Sequence, residues 1–543
     1  MPRSIPEAIA EGARSTGSLT VIDKAGTPRR ICADEVQATA AAVAAALVGS
    51  GVCPGDRVCL AGRTSTDLLF TLFGLWRMGA VPVVLPQVSR GGIQPWVTMA
   101  VGRADAVDAR MLIVDDELAS ALAQSTPRSV RTLAEVSAGR AVTNLAMPEP
   151  DALGLLQFTS ATTGTSKAVQ VSHSQIVGNV RALIEPMGIM PGEVYVSWLP
   201  LFHDMGIISL ASGLAYGMEI VLLPTEAFLR APGIWMGTVS RFGAVITAGP
   251  NSAYGLAARS QQLRPAVLDL SRLVVAIDGA EPVTEDVVQR MSDAFTGSGL
   301  RPDVLCPAYG LAESTLVVTA SGRGELPRFI SPADVCSTGT DGVELPTRRL
   351  VSCGRGISGT EVRIIGPAGQ SLPEGAVGEV HVLGPWITTG YWQPDGAGPD
   401  PGRRSADGAL ATGDLGFLRD GELFICGRTK DMIIVGGRNL YPEDYEEAAE
   451  LVTGIVRGNV IAFSLVETER MVIVAEGRGD STALQSLAVQ LRERLQASTE
   501  HAPEEVVLVR AGTLPKTSSG KRQRQQCRTQ YQNGDLEIIH TLR

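Results

Sequence analysis

From Ala33 the stretch ADEVQATAAAVAAALVGSG sets Val36, Ala40, Val43 and Leu47 at helical spacing and runs into Gly49 and Gly51, which predicts an amphipathic helix with a glycine stop. GDRVCLAG then reads as a strand, TDLLFTLFGLWRMGA as a helix and VPVVLP as another strand. This alternation predicts helices packed on a mostly parallel sheet. Short apolar strands recur at EIVLLP, AVITAG and LVVAIDG, with no repeat period. Residues 321–350 break the pattern, being rich in Gly, Pro and Ser, and read as an inserted loop or small subdomain. A second break falls at residues 427–431. Beyond it MIIVGG, GNVIAFSL, MVIVAE and EVVLVR read as strands, with Leu484, Leu487, Leu491 and Leu495 on one face of a helix between the last two. The tail is thus expected to be a small α/β domain of its own.

A chain of 543 residues exceeds one compact core and suits a large domain plus a smaller one. With 44% hydrophobic and 19% charged residues it reads as globular. The net charge of −10 and only 5% aromatic residues argue against nucleic acid or an anionic membrane as the main partner. Eight scattered cysteines form no C-x-x-C pair, and no His sits at metal-ligand spacing. The first residues, MPRSIPEAIAEGARS, lack an apolar leader, and the longest apolar run, 68–76, is far short of a bilayer span. A cytoplasmic protein without membrane insertion is expected.

The candidate chemistry starts at LQFTSATTGTSKAVQVSH, where hydroxyls and glycine lie between an apolar strand and a helix start. Such a loop can surround phosphate oxygens with N–H groups and hydroxyls, while Lys167 adds a point charge. The spacing of Gly164 and Lys167 is not that of a Walker A loop, and alone the stretch would be an ordinary surface turn. The dinucleotide-like GRGISG, with Gly354, Gly356 and Gly359, leads into a strand instead of a helix and reads as a turn. Further polar clusters end apolar strands: WLPLFHDMG, DGAEPV, YGLAEST, TGDLG, GRTKD and finally PKTSSGK. Each has a plain alternative: a core histidine at His203, a cap at Glu313, a turn at Asp414, core packing at Tyr309. The basic end KTSSGKRQRQQCR, with Lys521, reads by itself as a solvated terminus.

Taken in order, these clusters resemble the adenylate-forming superfamily of acyl-CoA synthetases, luciferases and nonribosomal adenylation domains. FTSATTGTSK is similar to its phosphate loop, YGLAES to its magnesium-glutamate motif, TGDLG to its ribose motif, GRTKD to its hinge and PKTSSGK to its catalytic-lysine motif. WLPLFHDMGII, AGPNSAYGLAARS with LDLSRLVVAIDGAEPV, and the extra segment before VSCGRG resemble fatty acyl-AMP ligases in particular. In that subfamily an insertion at this place is associated with failure to use CoA. The resemblance implies an α/β fold: a large N-terminal domain of layered sheets with a small β-rich subdomain over 1–428, and a smaller hinged C-terminal lid over 429–543.

It also implies ATP and Mg²⁺ as cofactors, a carboxylic acid substrate and a separate acyl carrier protein as acceptor, since no carrier domain is appended. Thr159, Ser160, Thr162, Thr163, Gly164, Thr165 and Lys167 are expected to hold the β- and γ-phosphates, and Glu313 the Mg²⁺. Lys521 is expected to bridge the acid and the α-phosphate, with His203 near the reacting carboxylate. Tyr309 and Gly310 are expected to face adenine, opposite Gly279, Ala280 and Glu281. Asp414 is expected to accept from the ribose, Arg428 to support it, and Asp431 to lie at the hinge. Ala161 and Asp278 replace the usual Gly and Asn, and Ser252 and Gly255 depart from the usual residues of the Pro-Asn-x-Ala-Tyr stretch. The alternatives are an acyl-CoA ligase, an amino-acid activator with Asp204 holding the ammonium, or a catalytically silent binding protein.

Overall fold

The computed structural model describes residues 3–15, 17–88, 91–138, 145–159, 166–331, 346–394, 398–435, 438–465, 468–499, 501–517 and 520–543. The predicted helix at 33 forms as Ala33–Gly49, burying Val36, Ala40, Val43 and Leu47. It packs on Thr66–Met78, which Ser65 caps through its hydroxyl and Gly79 ends in the left-handed region. The strands Val81–Val84, Arg57–Ala61, Met111–Val114 and Ser129–Thr132 lie in that order in an all-parallel sheet.

A nine-stranded sheet carries the site. Its parallel centre runs Leu305–Gly310, Val275–Asp278, Ile246–Gly249, Val194–Ser197, Glu219–Leu222 and Ser18–Ile22, with antiparallel strands at both edges. In open parallel sheets ligands lie beyond the carboxyl ends of the strands. Here those ends release Trp198–His203, Pro250–Ser252, Gly279–Glu281 and Tyr309–Glu313 on one side. The contribution of residues 18–31 to this sheet has no counterpart in the sequence reading, because the Ser18–Ile22 strand pairs with one two hundred residues on.

Glu361–Ile365, Gly378–Leu383, Leu410–Arg419 and Glu422–Arg428 form an antiparallel sheet. GRGISG makes a short strand and a turn before Glu361–Ile365, with no helix, as its sequence context requires. After residue 428 come a hairpin of Ile433–Val435 and Arg438–Leu440, the helix Pro442–Glu450, and the sheet Ile455–Leu465, Arg470–Gly477, Glu505–Arg510, Ile538–Leu542. The helix Ser481–Thr499 crosses between the two parallel strands and buries the four leucines read from its spacing. Two separate apolar clusters are built wholly from residues beyond 432. Among the described residues no helix is long and apolar enough to cross a membrane. The middle of the 321–350 segment lies outside the described residues; its flanks, Phe329–Ile330 and Leu350–Val351, pair antiparallel.

Candidate active site

Two motifs far apart in sequence meet first. Asp414 and Arg428 are opposed across the antiparallel pair Leu410–Arg419 and Glu422–Arg428. The Arg428 Nε donates to Asp414 Oδ1 at 2.7 Å, and the Tyr309 hydroxyl donates to Asp414 Oδ2 at 2.7 Å. Burial, then the Asp414 charge, pushes the Tyr309 phenol well above its usual range, so it stays a donor. Each Asp414 oxygen keeps one lone pair, the number a diol needs. At Gly310 a Cβ would fall 1.8 Å from the Leu316 carbonyl oxygen, so only glycine lets the chain turn from Tyr309 toward Glu313.

Gly279, Ala280 and Glu281 follow the Val275–Asp278 strand. Ala280 sits at φ 67, a left-handed conformation costing a non-glycine residue about 1–2 kcal/mol, of the kind held at functional sites. The Glu281 carboxylate accepts from the Ser252 amide at 2.9 Å, which joins this wall to the Asn251–Leu263 helix. Asp278 is fully buried. Its Oδ2 accepts from Asn251 Nδ2 at 2.8 Å and its Oδ1 has no partner.

Glu313 lies in a short turn, Ala312–Ser314, whose carbonyl accepts from the Thr388 amide at 2.9 Å. Its carboxylate accepts from the Tyr391 hydroxyl at 2.7 Å. The Tyr391 ring lies under the Lys167 ammonium at 4.4 Å, and Lys167 pairs with Asp400 at 3.2 Å. The Gly402 amide first, then Lys167, lowers the Asp400 pKa. Tyr391, Thr388 and Asp400 were not read from the sequence, although they join the two anion-directed motifs. The segment holding them is tied to the Ala168–Ser172 strand by the bridge of Val169 to Tyr391.

That strand also alters the reading of the phosphate loop. The loop connects Leu153–Phe158 to Ala168–Ser172 as a hairpin, and the helix starts only at His173, capped by Ser172. The loop therefore does not open directly into a helix N-terminus. Thr159 and Lys167 stand at its two ends, the Thr159 amide on the Lys167 carbonyl at 3.0 Å. Ser160, Ala161, Thr162, Thr163, Gly164 and Thr165 lie outside the described residues.

His203 is the cap residue of the helix Asp204–Tyr216, with its Nδ1 2.6 Å from Asp204 Oδ1. Burial would raise the Asp204 pKa; the charge and hydrogen bond of His203, with Lys521 and the Met205 amide, outweigh it and hold the carboxyl at about 2. Lys521 arrives from the far end of the chain. Burial lowers its pKa, and Asp204 opposes that shift, followed among the carboxylates by Glu281 and Asp414. The basic end is no solvated tail. The Arg522 side chain is 24% and Arg524 13% exposed, and both donate to Glu446, fully buried on the helix Pro442–Glu450. Arg524 also donates to Asp431 at 2.9 Å. Arg348, at the end of the inserted segment, pairs with Asp444 of that same helix, the two side chains 9% and 5% exposed. Tyr309, Asp414, Arg428, Glu281, Glu313, Lys167, His203, Asp204 and Lys521 all line one cleft of about 2710 Å³.

Such a cleft, with a diol acceptor, a lone carboxylate near a lysine and a second lysine brought by a separate body, defines a nucleotide-dependent enzyme acting on an anion. The chain belongs to the AMP-binding enzyme family, whose pattern matches residues 9–392. It is 34% identical to the medium-chain-fatty-acid–[acyl-carrier-protein] ligase JamA of Moorena producens, over 71% of this chain and 69% of that one. It is 32% identical to the long-chain-fatty-acid–AMP ligase FadD26 of Mycobacterium tuberculosis, over 99% and 98% of the two chains. A solved structure from work on fatty acyl-adenylate ligases of E. coli and L. pneumophila superposes with a TM-score of 0.89 at 28% identity, covering 98% of both chains.

Proposed function

We propose that the chain joins a fatty acid to AMP with release of pyrophosphate, then passes the acyl group to the phosphopantetheine thiol of a separate acyl carrier protein. The observation carrying this reading is that Lys521 lines the same cleft as Asp204 and His203, beside the Tyr309, Asp414 and Arg428 cluster. The names of relatives as fatty-acid–AMP and fatty-acid–[acyl-carrier-protein] ligases support the acid and the acceptor.

In the first half-reaction a carboxylate oxygen attacks the α-phosphorus and the bond to pyrophosphate breaks. Two anions must approach, so fixed positive charge at the meeting point lowers the barrier. Lys521 supplies it, and the surrounding carboxylates favour its charged form against burial. Asp414 holds the ribose hydroxyls, oriented by Tyr309 and Arg428, while Lys167 turns from Asp400 to the outer phosphates. Among the described residues no cluster of three or more His, Cys, Asp or Glu side chains is poised for a metal. A single carboxylate, Glu313, with one oxygen fixed by Tyr391, fits Mg²⁺ held otherwise by phosphates and water. Bound there, the ion neutralises phosphate charge. In the second half-reaction the thiol sulfur attacks the acyl carbon, AMP leaves and the thiol proton passes to solvent. Lys521 must first withdraw, and the chain near Asp431 is the place for that rotation.

The test is acid-dependent pyrophosphate release. Lys521→Ala is expected to lower it by at least about 10²–10³-fold, the scale of losing one charge-stabilising donor, with an unchanged melting temperature. Label from the acid is expected on a phosphopantetheinylated carrier protein; rapid acyl-CoA formation would sink the acceptor assignment. No release with any acid would favour a silent binding protein.

A further inference from the structure

The cleft does not end at the reacting centre. It continues along the helix Asp204–Tyr216, where Met205, Ser209 and Gly213, four residues apart on one face, line it. Leu183 of the helix His173–Ile184 and Tyr195 of the strand Val194–Ser197 also line it, and all five residues are buried. The channel wall is apolar in effect. The Tyr195 and Ser209 hydroxyls lie 3.1 Å apart, and Ser209 also donates to the Met205 carbonyl, so both polar groups are engaged within the wall.

At the far end the way the helix stops brings Met218 to the cleft beside Gly213. Gly217, at φ 88, donates to the Leu214 carbonyl at 3.0 Å, and the Met218 amide donates to the Gly213 carbonyl at 2.9 Å. This is the paired bonding that folds the chain back over the last turn, where the side chains at positions 213 and 218 would normally touch. Position 213 has no side chain. A Cβ there would lie 2.7 Å from Ile220 Cδ1 and 3.9 Å from Met218 Sδ, so these two side chains face the space that glycine leaves.

We infer that this helix measures the acid: the carboxylate lies at its His203 end, the chain runs past Met205 and Ser209, and Gly213 with Met218 sets the limit. At 1.5 Å per residue the eight steps from Met205 to Gly213 span about 12 Å, the length of about ten carbons of extended alkyl chain. The preferred substrate is therefore a straight-chain acid of about ten to twelve carbons. This rests on the proposed function and sharpens it, since the relatives' names divide between medium-chain and long-chain acids.

The experiment measures kcat/KM for pyrophosphate release by the full chain with even-numbered saturated acids from butanoate to hexadecanoate. The expected optimum lies at ten to twelve carbons, with hexadecanoate at least tenfold poorer. Ser209→Leu should cut decanoate at least tenfold while hexanoate is retained, Gly213→Ala should shift the optimum down by about two carbons, and Met218→Ala should shift it up by at least two. Retained turnover of short acids and an unchanged melting temperature show that a variant is folded. If the two smaller-pocket variants fail to fold, Met218→Ala alone decides. A profile flat from hexanoate to hexadecanoate, or an optimum unmoved by Met218→Ala, overturns the inference while leaving acid activation intact. Absence of release with every acid overturns the function beneath it and the inference together.

Discussion

Asp278→Asn tests the buried carboxyl at the end of the Val275–Asp278 strand. Burial, followed by the nearby Glu281 charge, drives the Asp278 pKa well above its ordinary 3.8, and the bond from Asn251 only partly opposes this. The native state thus keeps a proton that the unfolded chain sheds. Because the unfolded state binds fewer protons, stability falls as pH rises from 3.8 toward the raised native value. The slope from this one group is about 1.4 kcal/mol per pH unit within that window. Asn has the same shape, can still accept from Asn251 through its oxygen, and binds no proton. The variant should therefore lack this slope, and its advantage over the native chain should widen by about 1.4 kcal/mol for each pH unit in the window. Thermal or urea unfolding followed upward from pH 4 reads the difference directly. Parallel stability curves just above pH 4 would refute the reasoning, for Asp278 would then be carrying a satisfied charge.

Further outcomes follow from other contacts. Tyr391→Phe removes the hydroxyl that fixes Glu313, worth about 1 kcal/mol, and should raise the Mg²⁺ concentration for half-maximal pyrophosphate release about fivefold. Arg348→Ala strands the buried Asp444 charge and should cost about 3–5 kcal/mol. Hydrogen exchange should quicken in Pro442–Glu450, and Arg348→Met with Asp444→Leu should recover much of the loss; a harmless single variant would show that the pair contributes nothing.

The alternation of helix and strand was legible because apolar spacing is a local signal, and so the parallel sheets and the leucine face of Ser481–Thr499 were foreseen. Asp414, Arg428 and Tyr309 could be found as separate motifs, but their bonding arises from strand register and sheet closure, which no local spacing encodes. Tyr391 and Asp400 sit in a Gly- and Pro-rich stretch with no periodicity, and only the folded chain brings them to Glu313 and Lys167. Arg522 and Arg524 were misread because a run of basic residues shows its charge and hides its partners. Glu446, 76 and 78 residues earlier, is what buries them.

Those two arginines have a kinetic consequence. With both neighbours of Gln523 anchored to one helix, Lys521 is tied to Pro442–Glu450 and is not carried on a loose loop. Under the proposed function its charge would leave only together with that helix, and the cycle would behave as an escapement, one positive charge being present or absent at each passage.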